Sequence, residues 1–106
     1  MLWVYRLLVV LGVFSLTACS SMHDYNLNRG IQCFQVQDYR SAFIRLLPEA
    51  KADQPDAMYA IGYMYYYGQG VVEDRKKSCY WINRAASAGQ KDAIRALKIL
   101  KEGKHI

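Results

Sequence analysis

Cys19 is the residue of this 106-residue chain best placed for covalent chemistry. It follows an uncharged apolar run and the triplet Leu16-Thr17-Ala18, and it precedes Ser20 and Ser21. A chemistry that needs a strong nucleophile at one fixed point near the start of a chain would use a thiol there. The other reactive residues form no comparable arrangement. His23 lies in a polar stretch and His105 beside the last residue, with no HxxxH and no Cys-His pair at ligand spacing, so neither a metal nor a cofactor is expected. Glu73 and Asp74 are adjacent, but Asp74 stands where a helix start needs an acceptor side chain. Cys33 and Cys79 each fall inside an expected helix, either as small buried hydrophobes or as a bridged pair. No catalytic constellation emerges, and an enzyme is not expected.

The element that positions Cys19 is a leader. Met1 to Arg6 carries one basic side chain beside the terminal amine, and Leu7 to Leu16 is ten apolar or small residues without a charge. A bilayer core of roughly 30 Å needs about 20 such residues, so the run is short for a span. A positive start, a short apolar run and small residues before a cut describe a secretory signal peptide over residues 1–18. Leu16-Thr17-Ala18-Cys19 resembles the lipobox of bacterial lipoproteins. The resemblance implies a diacylglyceryl group on the Cys19 thiol, cleavage before it and acylation of the new amine. Two or more acyl chains hold a protein to a membrane at roughly 0.8 kcal/mol per buried methylene. In enteric-type lipoproteins an Asp after the cysteine favours the inner membrane. Ser20 therefore implies the outer membrane of a bacterial envelope, facing the periplasm. A signal peptide with a chance cysteine, or an uncleaved anchor from Leu2 to Ala18, is the alternative.

Beyond the leader lies one small domain. Residues 19–23 are a polar tether, and the formal net charge of +5 for the whole chain comes from Lys and Arg scattered rather than clustered. No basic run marks a nucleic-acid partner, and none is expected for an exported protein. Oligomeric state is not written in these residues.

Helical spacing dominates the rest. Asp24 or Asn26 can cap a first helix to about Val36, with Leu27, Ile31 and Phe34 on one side. Asp38 caps a second, with Ala42, Phe43, Leu46, Leu47 and Ala50 in register and Pro48 predicting a kink. Asp53 before an early proline starts a third, which Gly68 and Gly70 end. Asp74 opens a fourth that stops at Gly89, and a fifth over Lys91 to Glu102 turns Ala93, Ile94, Leu97 and Leu100 inward with Arg95, Lys98 and Lys101 outward. No stretch alternates strictly enough for a strand.

The helices repeat. Asp38 matches Asp74, Ala42 matches Ser78, Ala50 matches Ala86 and Ala57 matches Ala93, all thirty-six residues apart. The first helix aligns on the third at thirty-one, Phe34 on Tyr65, because its loop lacks the GQGVV segment. Ile61-Gly62, Tyr65, Gly68-Gln69-Gly70-Val71, Asp74, Ser78, Trp81, Ala85-Ala86 and Gly89 resemble the Sel-one-like repeat, a relative of the tetratricopeptide repeat. Ile61 and Ser78 replace the family's usual leucine and alanine. The resemblance covers a complete repeat at 54–89, a degenerate one at 24–53 and a capping helix at 90–106. It implies an all-α, short α-solenoid of about five helices in stacked hairpins. Gly62 would then let the paired helix approach closely, and Trp81 would supply buried area that thin layers lack.

A stack of hairpins lines a concave groove with the first helix of each pair. On the third helix Tyr59, Tyr63 and Tyr66 recur at i, i+4, i+7, apart from the core stripe Ala57, Ile61, Met64 and Tyr65. At the shorter offset their counterparts are Asn28, Gln32 and Gln35, with Tyr67 and Arg29 nearby. Amides beside tyrosines suit recognition of a protein or peptide, although such tyrosines can also simply cover a small core. The resemblance implies a non-enzymatic adaptor or scaffold for envelope or secretion-related complexes. Alternatives are a binder of cell-wall glycan or of a host factor and, third, a β-lactam-hydrolysing or -binding member of the family. One branch of the family is linked to β-lactams, but its members carry disulfide-linked cysteine pairs in every repeat, which this chain lacks.

Overall fold

The computed structural model describes residues 2–6 and 25–103. Cys19, His23, Asp24 and His105 lie outside the described residues. All regular structure among the described residues is helical, and the chain is a short α-solenoid. A short helical stretch at 2–6 precedes five helices: α1 at 25–35, α2 Tyr39–Lys51, α3 Pro55–Tyr67, α4 Arg75–Ser87 and α5 Lys91–Lys101. Consecutive helices pack as antiparallel hairpins, α2 on α3, α3 on α4 and α4 on α5. No described helix is long and apolar enough to cross a membrane.

The helix starts obey local chemistry, with one correction. Asp38 accepts from Ser41 N at 3.3 Å and Asp74 from Lys77 N at 3.0 Å, each satisfying an otherwise unpaired first-turn amide. At α3 the cap is Gln54, not Asp53. The Gln54 amide oxygen accepts from Asp56 N and Ala57 N, and thirty-six residues on Gln90 does the same for Ala93 N at 2.6 Å. Asp53 instead takes a left-handed conformation, φ 65°, the position that Gly89 occupies at φ 87°. Its carboxylate pairs with Arg84 on α4, tying the turn to the second hairpin. Asn26 lies within α1 and does not cap it. Pro48 lies inside α2, as expected, and the helix continues to Lys51 with the proline on its exposed side.

The core is a single cluster of short side chains with a few large ones. Ala42, Leu46, Ala50, Ala57, Ile61, Met64, Ala85 and Ala93 are fully buried, and Met58, Ile82 and Trp81 nearly so. Close helix approach makes this possible. A Cβ at Gly62 would stand 2.6 Å from Ile82 Cγ1 and 3.2 Å from both Ile82 N and the Ser78 carbonyl oxygen. The Ser78 hydroxyl donates to the Gly62 carbonyl oxygen at 2.7 Å, a buried bond between α3 and α4 that alanine could not make. Gly70, at φ 72°, lays its backbone on the start of α2, where a Cβ would come within 2.5 Å of the Tyr39 carbonyl oxygen.

Further expectations are corrected. Ile94 is half exposed rather than turned inward, and Cys79 is exposed rather than buried. Cys33 and Cys79 are both free thiols. The first helix also matches the third at thirty-two residues, not thirty-one. A Cβ at Gly30 would strike Leu46 at 2.6 Å just as one at Gly62 would strike Ile82, and Leu46 and Ile82 are themselves thirty-six apart. Phe34 packs edge-on against Tyr39 as Tyr66 packs under Arg75, which confirms the pairing of Phe34 with Tyr66. The left-handed turn residues Gln37 and Gly68 keep the spacing of thirty-one, so the discrepancy arises within the last turns of α1.

Candidate functional site

The first helix of each pair, α1, α3 and α5, borders one side of the stack. Helical geometry advances about 100° per residue, which places Tyr59, Tyr63, Tyr66 and Tyr67 within one broad stripe of α3. Their rings form a ladder: Tyr59 to Tyr63 at 6.2 Å between centroids, Tyr63 to Tyr67 at 4.7 Å, and Tyr67 to Tyr66 at 4.9 Å. Tyr59, Tyr63 and Tyr66 are half-buried and Tyr67 is exposed.

Two apolar concavities flank this ladder and share Tyr59 and Tyr63. One, of about 170 Å³, lies between α1 and α3 and is lined by Ile31, Phe34, Tyr59, Ala60 and Tyr63 over a floor of Leu46. The other, of about 70 Å³, lies between α3 and α5, with Tyr66, Tyr67, Ala96 and Leu100 over a floor of Ile82. The floors are equivalent residues of successive repeats, so the two hollows are two copies of one feature.

The electrostatics differ along the ladder. Burial raises the Tyr59 hydroxyl pKa above the ordinary tyrosine value, and Asp92 on α5, then Tyr63 and Tyr67, add to the rise. At the other end the Arg75 guanidinium lies 3.6 Å from the centre of the Tyr66 ring, a cation–π contact that holds that ring in place. The field of a carboxylate thus acts on Tyr59, whereas a guanidinium packs on Tyr66.

Asn28, Gln32 and Gln35 are exposed on α1, and the side chains of α1 that meet the tyrosines are Ile31 and Phe34. This agrees with the corrected register, in which Ile31 matches Tyr63 and Phe34 matches Tyr66. The amides form the neighbouring stripe of α1, rotated roughly 40–100° from Ile31 and away from the Gly30 side that packs on α2. Gln32 accepts from Arg29 at 3.4 Å. The signal that locates Ile31 and Phe34 in the sequence is Gly30, the counterpart of Gly62. Among the described residues no group of His, Cys, Asp and Glu could hold a metal.

Residues 55–90 match the Sel1 repeat. No curated protein matches the chain. The match spans α3, the glycine loop, α4 and the Gln90 cap, and so includes every tyrosine of the ladder. Sel1 repeats generally mediate protein–protein interactions and are typically non-catalytic, which points to a protein partner.

Proposed function

We propose that the chain is a lipid-anchored adaptor of the bacterial envelope, held at the outer membrane through Cys19 and facing the periplasm. It binds a segment of a protein partner along the Tyr59-Tyr63-Tyr66 ladder. The observation that carries the binding site is the sharing of Tyr59 and Tyr63 by two apolar hollows built by successive repeats. Such a surface accepts apolar side chains of an extended segment at two places, while the tyrosine hydroxyls and the exposed amides of Asn28, Gln32 and Gln35 hydrogen-bond its backbone. Half-buried tyrosines lose little rotamer entropy on binding, which favours their use in recognition. The anchor rests on the Leu16-Thr17-Ala18-Cys19 pattern in the sequence.

Chemical-shift mapping of the chain against periplasmic extract fractions tests the groove. Shifts at Tyr59, Tyr63 and Gln32 support it, whereas saturating extract that moves only other residues rejects it. Purified cell-wall glycan that reproduces the same shifts without protein would replace the protein partner with a carbohydrate. Cys19→Ala tests the anchor separately. Incorporation of labelled fatty acid should be lost, and unchanged labelling removes the lipid.

A further inference from the structure

The two repeats permit an internal comparison at the last hairpin of the stack, where α5 packs on α4. At the thirty-six-residue spacing Met58 corresponds to Ile94, Ala50 to Ala86 and Gly62 to Lys98. Met58 is 2% exposed because α4 packs beside it, whereas Ile94 is 50% exposed. Ala50 is fully buried and Ala86 only partly. Among the described residues nothing covers α5 as α4 covers α3. Between α4 and α5 this leaves an open trough of about 580 Å³, with Ala86, Ile94 and Leu97 forming its apolar surface.

The substitution of Lys98 for the close-approach glycine decides what fits. A helix seated here cannot come as near as α4 comes to α3, and it meets the ammonium groups of Lys98 and Lys101 on successive turns. Arg95 adds a third cation on the same helix, opposed by Asp92 at 3.7 Å, and among the described residues Glu102 is the one carboxylate lining the trough. A second copy of this chain is a poor occupant. Ile44, the exposed aliphatic side chain of α2, shares its stripe with exposed Arg40 and Lys51, so it would bring like charge against Lys98 and Lys101.

We propose that this trough docks an amphipathic helix of another protein, with small and apolar residues on one stripe and carboxylates beside it. The helix extends the stack by one layer. Its apolar stripe covers Ala86, Ile94 and Leu97, and its carboxylates pair with Lys98 and Lys101. This surface is separate from the tyrosine ladder.

The test uses the full chain in detergent micelles, isotope-labelled, and two synthetic amphipathic helices. They share a leucine-alanine stripe and differ in flanking glutamates or flanking lysines. The glutamate helix should shift the Ala86, Ile94 and Leu97 resonances and bind at least about tenfold more tightly than the lysine helix, since each exposed pair contributes a modest share. Lys98→Glu with Lys101→Glu should reverse that preference. A weakening of glutamate-helix binding by added salt supports the same charge pairing in the unmodified chain, should the double variant unfold. Shifts confined to Tyr59 and Tyr63, equal binding of both helices, or insensitivity to salt would overturn the proposal. So would sedimentation of the chain alone as a dimer that Ile94→Glu abolishes.

Discussion

Gly62→Ala puts the packing of α3 on α4 to a quantitative test. The new methyl group stands 2.6 Å from Ile82 Cγ1 and 3.2 Å from two backbone atoms of α4. Ile82 is 4% exposed and the atom struck is Cγ1 rather than the far end of its side chain, so it gives little, and the backbone atoms move only if the helices separate. Overpacking of this kind costs about 1–3 kcal/mol. Separation also stretches the 2.7 Å bond from Ser78 to the Gly62 carbonyl, a loss of about 1 kcal/mol. Alanine's better helix propensity offsets about 1 kcal/mol. The net is a destabilisation of about 2 kcal/mol, or a fall in Tm on the order of 10 °C for a domain this small. Urea and thermal unfolding monitored by circular dichroism measure both quantities. Ile82→Ala removes the atom that the methyl strikes, so the double variant should recover at least about 1 kcal/mol relative to additivity. If Gly62→Ala raised Tm, or if the cycle were additive, the helices would not be in close contact at this glycine.

Other outcomes depend on single contacts. Gly70→Ala combines a left-handed backbone with a methyl 2.5 Å from the Tyr39 carbonyl oxygen and should cost about 3 kcal/mol. Gly89→Ala has a positive φ but open space around it and should cost only about 1 kcal/mol, so comparing the two urea midpoints separates strain from collision. Ser78→Ala should cost about 1 kcal/mol, through loss of the bond to the Gly62 carbonyl. Because the Tyr59 pKa is raised in the folded chain, the native state holds its phenolic proton longer than the unfolded one. The stability this contributes is present below the unfolded value of about 10 and is lost as pH rises through the folded value. Alkaline unfolding curves should show this loss, and Tyr59→Phe should remove that part of it.

Features fixed by local chemistry were legible in the sequence, and those fixed by a neighbour were less so. Asp38, Asp74, Gly68 and Gly89 act through their own side chain or backbone, and each stands where local chemistry places it. Gln54 and Gln90 were not legible as caps because glutamine is not among the favoured cap residues. Asp53 has the acceptor of a cap, yet aspartate also tolerates the left-handed turn, and comparison with Gly89 shows that it is used for the turn. Ile94 belongs to an apolar stripe, but periodicity says which face is apolar without saying whether anything covers it. The tyrosine stripe was legible from its spacing. Its partners on α1 were not, because aligning Phe34 on Tyr65 shifts every pairing by one residue.

The glycines and the candidate groove are physically coupled, and this can be observed. Gly30 and Gly62 allow α2 and α4 to approach closely, and the side chains they admit, Leu46 and Ile82, are the floors of the two hollows beside the tyrosines. Moving α4 outward therefore withdraws Ile82 from between α3 and α5 and deepens the hollow bounded by Tyr59, Tyr63 and Leu100. Gly62→Ala should accordingly shift the ring resonances of Tyr59 and Tyr63 under fully native conditions, well below its lowered Tm. Gly70→Ala acts on the contact between the glycine loop and the start of α2, so at a similar loss of stability it should leave those rings in place. Equal ring shifts in the two variants would mean that the tyrosines report general loosening of the fold. A shift confined to Gly62→Ala would mean that one backbone contact sets both the nesting of the helices and the depth of the groove.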